Sequence, residues 1–104
     1  MFTVIYSFEV KEGKVDQFIN GWEGLTKLIY EFEGSLGSRL HKVDTLNYIA
    51  YAQWPSKEKF DNAGSNLPES AVFFRSEMKE SCVKIETSHE MEVVSDLLKT
   101  KVFG

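Results

Sequence analysis

Several residue types on which whole classes of protein depend are scarce in this sequence. There is one cysteine, Cys82, so no disulfide can form within the chain, and this fits a reducing, cytoplasmic compartment. Only two histidines are present, and no His, Cys or Asp cluster has the spacing of a metal site. We therefore expect neither a disulfide scaffold nor a metal centre, and we expect Cys82 to be a small buried hydrophobe on a helix.

The sequence also has no long apolar run and no segment dominated by charge of one sign. The 12 basic and 16 acidic residues are scattered and give a net charge of -4, so no basic stripe could neutralise a nucleic-acid backbone. No segment approaches the roughly 18 apolar residues of a membrane span, and the N-terminal apolar run has no basic leader. Neither a Gly-rich phosphate loop nor a Gly-x-Ser-x-Gly elbow occurs. We expect no nucleic-acid or membrane partner, and no hydrolase, kinase or dinucleotide-binding activity.

What the chain does have is a large supply of apolar and aromatic side chains, with 42% hydrophobic residues, eight Phe, four Tyr and two Trp among 104 residues. In some segments the apolar residues occupy every second position, which predicts a strand. In others they recur every three or four residues, which predicts a helix. The predicted order is strand 2–10, helix 14–33 ending at Gly34, a hairpin of strands 35–43 and 46–54, a short helix 57–60 capped by Ser56, helix 68–82, and strand 84–93.

This order predicts an α+β domain of the ferredoxin-like β-α-β-β-α-β type, with both long helices on one face of a four-stranded antiparallel sheet. The other face would expose aliphatic and aromatic side chains, so we expect a second copy to cover it, sheet against sheet, in a dimeric α/β barrel. Residues 1–95 would form the domain. In the tail, 96–104, the apolar residues would either pack on the partner or fray, namely Leu97, Leu98, Val102 and Phe103.

Two glycines, Gly21 and Gly24, lie inside the predicted first helix, where each costs about 1 kcal/mol relative to Ala. One interpretation is that they permit close approach of the sheet or of another chain. The other is that tertiary packing simply tolerates them. The sequence leaves both open.

Three segments, in this order, resemble the antibiotic-biosynthesis monooxygenase family over nearly the whole chain. They are Lys11-Glu12-Gly13 before the first helix, Glu33-Gly34-Ser35-Leu36-Gly37 with Leu40-His41, and Tyr51-Ala52-Gln53-Trp54-Pro55-Ser56 leading to Phe60. The resemblance implies a dimeric α+β barrel with a pocket in each subunit between sheet and helices. Some members oxygenate polycyclic aromatic substrates without metal or flavin, and some degrade haem.

The resemblance also places Trp54 at the pocket, where its ring could orient an aromatic substrate, although a structural tryptophan at the sheet edge is the alternative. The polar partners of this Trp in quinone-forming members are replaced by Ala50 and Phe60. Haem degradation is not expected, because Tyr6 replaces the first-strand Asn and residues 68–82 contain no His ligand.

The chemistry of the remaining side chains supplies further candidates. Tyr hydroxyls could hydrogen-bond a substrate, a His could act as a base, and an Arg could hold a carboxylate or enolate; each also has an ordinary structural or surface role. As catalytic residues we predict Trp54, Tyr48 and His41. As substrate-binding residues we predict Tyr6, Trp22, Arg39, Tyr51, Phe74 and His89.

The function that the resemblance implies is cofactor-independent oxygenation of a small aromatic or otherwise electron-rich substrate. A non-catalytic dimeric module that binds a hydrophobic ligand, or serves in a stress response, is the alternative, and a purely structural interaction domain is a third possibility.

Overall fold

A computed structural model describes residues 1–99, so Val102 and Phe103 lie outside the described part of the chain. Within that part the chain forms four strands and three helices. In chain order they are β1 (Phe2–Val10), α1 (Val15–Phe32), β2 (Ser38–Lys42), β3 (Asn47–Trp54), α2 (Lys57–Asp61), α3 (Ser70–Ser81) and β4 (Cys82–Glu92).

The strands form one antiparallel sheet in the order β2-β3-β1-β4, which confirms the predicted ferredoxin-like fold. The second strand is shorter than predicted because its first three residues form a loop. Gly34 and Gly37 there have φ of +80° and +99°, a left-handed conformation that side chains with a Cβ rarely adopt. The Leu36 N–H in this loop donates to the Gln53 carbonyl, 2.9 Å away. The loop thus enters the sheet at the end of β3.

The core lies between the helices and the sheet face formed by the even-numbered residues of β1 and β3. Phe18 of α1 is fully buried, and its ring centroid lies 4.9 Å from that of Phe8 and 5.4 Å from that of Tyr48. A second cluster at the other end of the same face joins Phe2 and Trp54 to α2 through Phe60. Both helices and strands therefore bury the faces that the apolar spacing predicts.

The two glycines of α1 face α3. A Cβ added at Gly21 would lie 2.9 Å from the Phe74 carbonyl oxygen, and one added at Gly24 would lie 2.3 Å from the Phe74 ring. At these two glycines α1 does approach another element closely, as one interpretation of the sequence required. That element is α3, the second long helix, and not the sheet or another chain. Among the described residues, no helix is both long and apolar enough to cross a membrane.

The last strand contains a bulge that changes which side chains share a face. Ile5 pairs with His89 but Tyr6 pairs with Thr87, so Ser88 is an extra residue, and its hydroxyl donates to the Ile5 carbonyl at 3.1 Å. Strict alternation predicts Thr87 and His89 on the same face. That prediction is wrong, because the bulge leaves Thr87 on the helix side with Tyr6 and turns His89 to the opposite side.

The sheet face away from the helices, called here the outer face, is apolar at its centre and charged at its margins. Ile5 lies opposite Tyr51, and Ile49 lies one pair further along β3; all three are half-buried. Glu9, Glu86 and Lys84 lie at one end of this face. Residues after β4 return toward the other end, where Leu98 is 72% exposed.

One acidic side chain, Glu33 at the C-terminus of α1, is buried, with 6% of its surface exposed. Its Oε1 accepts a hydrogen bond of 3.2 Å from the Asn66 N–H, while Oε2 has no partner within residues 1–99. The carboxyl group thereby links the end of α1 to the loop between α2 and α3.

We expect Glu33→Ala to lower the free energy of unfolding by about 1 kcal/mol, because the Asn66 N–H loses its acceptor. Glu33→Gln keeps a carbonyl acceptor for the Asn66 N–H, so it should lose less stability than Glu33→Ala. Urea unfolding measures both variants, with the exposed Glu31→Ala on the same helix as the matched control. Equal losses for Gln and Ala would show that the bond to Asn66 is unimportant.

Candidate functional site

A cleft-like cavity of about 200 Å³, called here the inner cavity, lies between α1 and the helix face of the sheet. Twelve residues line it. The sheet contributes Tyr6, Phe8, Ala52, Trp54, Ile85 and Ser38; helix α1 contributes Trp22, Leu25, Thr26 and Ile29; α3 and the β2 entry loop contribute Met78 and Ser35. The cavity is lined almost wholly by apolar and aromatic surface, which is typical of sites for small organic ligands.

Trp54 is the last residue of β3, and its side chain lines the inner cavity. The strand stops there because Pro55 has no N–H to donate. The indole is 4% exposed and lies edge-on to Phe60, with ring centroids 5.6 Å apart. Its Nε1–H is buried and has no hydrogen-bond acceptor within residues 1–99. A buried donor of this kind is normally satisfied, so the unpaired indole N–H is an exception. Because the nitrogen is not exposed to the cavity, a ligand there meets the ring of Trp54 and not its N–H.

Tyr6 lies on the central strand β1, and its side chain lines the same cavity. Burial raises the pKa of its phenol above the usual value, and the negative charge of Glu90 on β4 raises it further. At neutral pH the hydroxyl therefore keeps its proton and can donate a hydrogen bond.

The lining of the inner cavity is uncharged, since none of its twelve residues is Asp, Glu, Lys, Arg or His. Its two serine hydroxyls are already used within the sheet. Ser35 donates to the Gln53 carbonyl at 3.3 Å, and Ser38 donates to the Tyr51 carbonyl at 3.0 Å. The polar groups of the lining that remain for a ligand are those of Tyr6 and Thr26.

The model of the family described as antibiotic biosynthesis monooxygenase matches residues 1–67, well over half of the chain. The chain belongs to the antibiotic biosynthesis monooxygenase family. The matched part contains β1, α1, β2 and β3, and hence most of the lining of the inner cavity. None of the curated proteins matches this chain in sequence.

Solved structures share the fold of this monooxygenase-family chain at low sequence identity. SnoaB, a cofactor-independent oxygenase from Streptomyces nogalater, is 14% identical with a TM-score of 0.74, over 94% of this chain and 97% of its own. Rv0793 from Mycobacterium tuberculosis is 10% identical with a TM-score of 0.72, over 93% and 98%. A structure described as an antibiotic biosynthesis monooxygenase is 16% identical with a TM-score of 0.68, over 91% and 100%. At these identities the likeness shows the fold alone.

Three of the nine side chains proposed from the sequence meet at the inner cavity of this monooxygenase-family domain: Tyr6, Trp22 and Trp54. Tyr48 faces the helices too, but it is buried against Phe18 and does not line the cavity. Phe74 packs in the notch that Gly24 leaves on α1.

The other four lie on the outer face. Arg39 and Tyr51 are paired across β2 and β3, and His41 is paired with Ile49. Arg39, His41 and Tyr51 border a separate, more open depression of about 430 Å³. His89 is on the outer face because of the bulge at Ser88. The sheet thus separates every Arg and His candidate from the inner cavity.

Several cavity residues were not singled out by the sequence, notably Thr26, Ile29, Met78 and Ile85. Ile29 and Met78 belong to apolar helical stripes, and Ile85 alternates correctly on β4, so their direction toward the sheet could be predicted. Nothing in the local pattern showed that a gap would remain between them.

Cys82 is the first residue of β4 and follows α3 directly, whereas the sequence placed it within the helix. It is buried, as expected, and burial raises the pKa of its thiol to about 11. The thiol is therefore protonated at neutral pH and poorly suited to nucleophilic attack. Among residues 1–99, no group of three or more His, Cys, Asp or Glu side chains could hold a metal ion.

Proposed function

We propose that this chain is a monooxygenase that oxidises a small, electron-rich aromatic molecule with O₂ in the inner cavity, without a cofactor. The observation that carries the proposal is an apolar cavity with aromatic walls, to which Trp54, Trp22 and the Tyr6 phenol contribute. Membership of the antibiotic biosynthesis monooxygenase family supports it.

The residues of the cavity would act by binding and by favouring charge on substrate oxygen. The Tyr6 hydroxyl would donate to an oxygen on the ring as electron density moves from the ring to O₂, and the apolar walls would strengthen this bond by excluding water. For a naphthohydroquinone the balance is that one atom of O₂ enters the ring to give a hydroxynaphthoquinone. The other atom leaves as water with two substrate hydrogens, so the substrate loses four electrons and O₂ gains four.

The test is O₂ consumption with naphthohydroquinone, measured against buffer alone and with isotopically labelled O₂. We expect protein-dependent uptake and one labelled oxygen atom in the product. Tyr6→Phe should slow the reaction by about tenfold through loss of one donor, whereas Tyr30→Phe, at an exposed position of α1, should not. Uptake equal to that of buffer, or a product without the label, would refute oxygenation of this substrate class.

A ligand-binding module without turnover is the second candidate, and a specific observation favours it. The inner cavity has no Asp, Glu, His or Lys in its lining that could accept the substrate's proton. Binding of aromatic ligands with O₂ uptake at the level of buffer would select this function.

We also propose that a second copy of the chain covers the outer face. The apolar centre formed by Ile5, Ile49 and Tyr51 is only half-buried, and Met91 and Leu98 beside it are exposed. Light scattering should give the mass of two chains at micromolar concentration, and Ile49→Lys should shift the protein to one chain. A monomeric wild type would contradict the proposal, while Val72→Lys on the exposed side of α3 serves as the control.

A further inference from the structure

Thr26 is the polar residue that α1 contributes to the wall of the inner cavity. The other α1 residues there are Trp22, Leu25 and Ile29, whose side chains are aromatic or aliphatic. Trp22 lies four residues before Thr26 and Ile29 lies three residues after it, so these three share one side of the helix. A hydroxyl thus lies in the middle of a stripe where the amphipathic pattern of a helix would place an apolar side chain.

The Thr26 hydroxyl is not used within the described part of the protein. A Ser or Thr inside a helix can donate to the carbonyl four residues earlier, as Ser81 donates to the Glu77 carbonyl at 2.6 Å in α3. Thr26 makes no such bond to Trp22, and its hydroxyl has no other partner among residues 1–99. The residue is half-buried, and its oxygen is not enclosed as the Trp54 nitrogen is. A molecule in the cavity can therefore reach it.

The two serine hydroxyls of the lining do not offer the same group. Ser35 and Ser38 both donate to carbonyls of β3, as described above, and the Ser35 oxygen also accepts from the Gly37 N–H at 2.9 Å. Within residues 1–99, Thr26 and Tyr6 are the lining hydroxyls that keep both their proton and their lone pairs free for a ligand.

Thr26 and Tyr6 complement each other. They belong to opposite walls of the cavity, Thr26 to the helix and Tyr6 to the sheet. A phenol is the better donor, whereas an alkyl hydroxyl oxygen is the better acceptor because its lone pairs are not delocalised into a ring. A hydroxyl group on a ligand needs both, since its oxygen accepts and its proton must be donated. No carboxylate or imidazole in the lining could take that hydrogen bond.

We propose that Thr26 is a substrate-binding residue of the inner cavity, whose Oγ1 accepts a hydrogen bond from a hydroxyl proton of the ligand and turns that edge of the ring system toward α1. Tyr6 donates to ligand oxygen from the opposite wall. The inference rests on the proposed function only in using the same cavity, since it concerns binding and requires no turnover.

Two probes isolate the acceptor. 2-Naphthol carries a hydroxyl proton, whereas 2-methoxynaphthalene carries the oxygen without the proton, and calorimetric titration under nitrogen gives the ratio of their affinities. Thr26→Val keeps the size and shape of the side chain, so it should lower the preference for 2-naphthol about fivefold through loss of one neutral hydrogen bond. Thr26→Ser keeps the hydroxyl and should retain the preference of the wild type.

Tyr6→Phe is the matched comparison from the other wall. It should weaken both probes and leave their ratio close to that of the wild type, because both carry the oxygen to which Tyr6 would donate. If Thr26 only completed the wall, Thr26→Val would leave the ratio unchanged. That result, an equal fall of the ratio in Thr26→Ser, or failure of 2-naphthol to bind the wild type would overturn the inference.

The same variants distinguish this inference from the oxygenase proposal. A lowered ratio in Thr26→Val, with O₂ uptake by the wild type at the level of buffer, would support the role of Thr26 and refute turnover. Protein-dependent O₂ uptake with an unchanged ratio would support turnover and refute the role of Thr26.

Discussion

Replacing Trp54 by Ala should lower the free energy of unfolding by about 3–5 kcal/mol and abolish binding of aromatic ligands. The stability loss is expected because the indole is 4% exposed and joins Phe2, Val4 and Ala52 in one buried cluster. For a domain of typical stability, roughly 5–15 kcal/mol, this is a large fraction of the total. Urea unfolding provides the first number and calorimetric titration with 2-naphthol the second.

Two further variants test the packing of the ring at this position. Trp54→Phe keeps an aromatic ring on the cavity wall, so it should retain more stability than Trp54→Ala. Phe73→Ala truncates an aromatic side chain that is 58% exposed on α3, and should change stability by no more than about 0.5 kcal/mol. A fully stable Trp54→Ala would show that the indole is not part of the core.

The second large effect is expected where the two long helices meet. Gly24→Ala should destabilise the domain by about 1–2 kcal/mol, because the new methyl group would overlap the Phe74 ring and the cost of overpacking exceeds the gain in helix propensity. Urea unfolding of the single variant gives the net effect.

A double-mutant cycle shows whether the ring is the cause. In a Phe74→Ala background the space above Gly24 is open, so Gly24→Ala should stabilise the protein by up to about 1 kcal/mol through helix propensity alone. The same substitution would thus change sign between backgrounds. If Gly24→Ala destabilised both backgrounds equally, the contact with Phe74 would not explain its effect.

Much of the fold could be predicted because local patterns and the global topology agree. The alternation of β1, the three-and-four spacing of α1, the left-handed Gly34 and the cap at Ser56 all have their expected structures. Ser56 Oγ accepts from the Lys59 N–H at 3.2 Å, as an N-cap residue should.

The errors arise where the structure depends on a partner strand or on a loop. The bulge at Ser88 is a mismatch between β4 and β1, and neither strand alone encodes it, so the face of His89 could not be read from alternation. The shortened β2 follows from two glycines whose left-handed backbone ends the pairing. In both cases the sequence shows the residue types, but it does not show how they change the pairing of the strands.

The candidate site was predictable to a similar degree. Tyr6 and Trp54 project from neighbouring strands on the side of the sheet that the helices cover, so alternation sufficed to bring them together. The separation of His41 and Arg39 from the cavity also follows from alternation, but only once β2 is paired with β3 in its actual register. These two residues are candidates in the sequence because a His can act as a base and an Arg can hold a carboxylate or enolate.

The separation has a consequence for function. The outer face has an apolar centre with Arg39 and His41 beside it, whereas the inner cavity has uncharged, largely aromatic walls. We propose a second copy of the chain on the first surface and a small aromatic ligand in the second.

The location of the ligand is the central claim, and the five isoleucines of the chain allow a direct test. Ile29 and Ile85 line the inner cavity, whereas Ile5 and Ile49 lie on the outer face. In a protein labelled at the isoleucine methyl groups, titration with 2-naphthol under nitrogen should shift the NMR signals of Ile29 and Ile85 and leave those of Ile5 and Ile49 in place. Shifts confined to Ile5 and Ile49 would contradict the account.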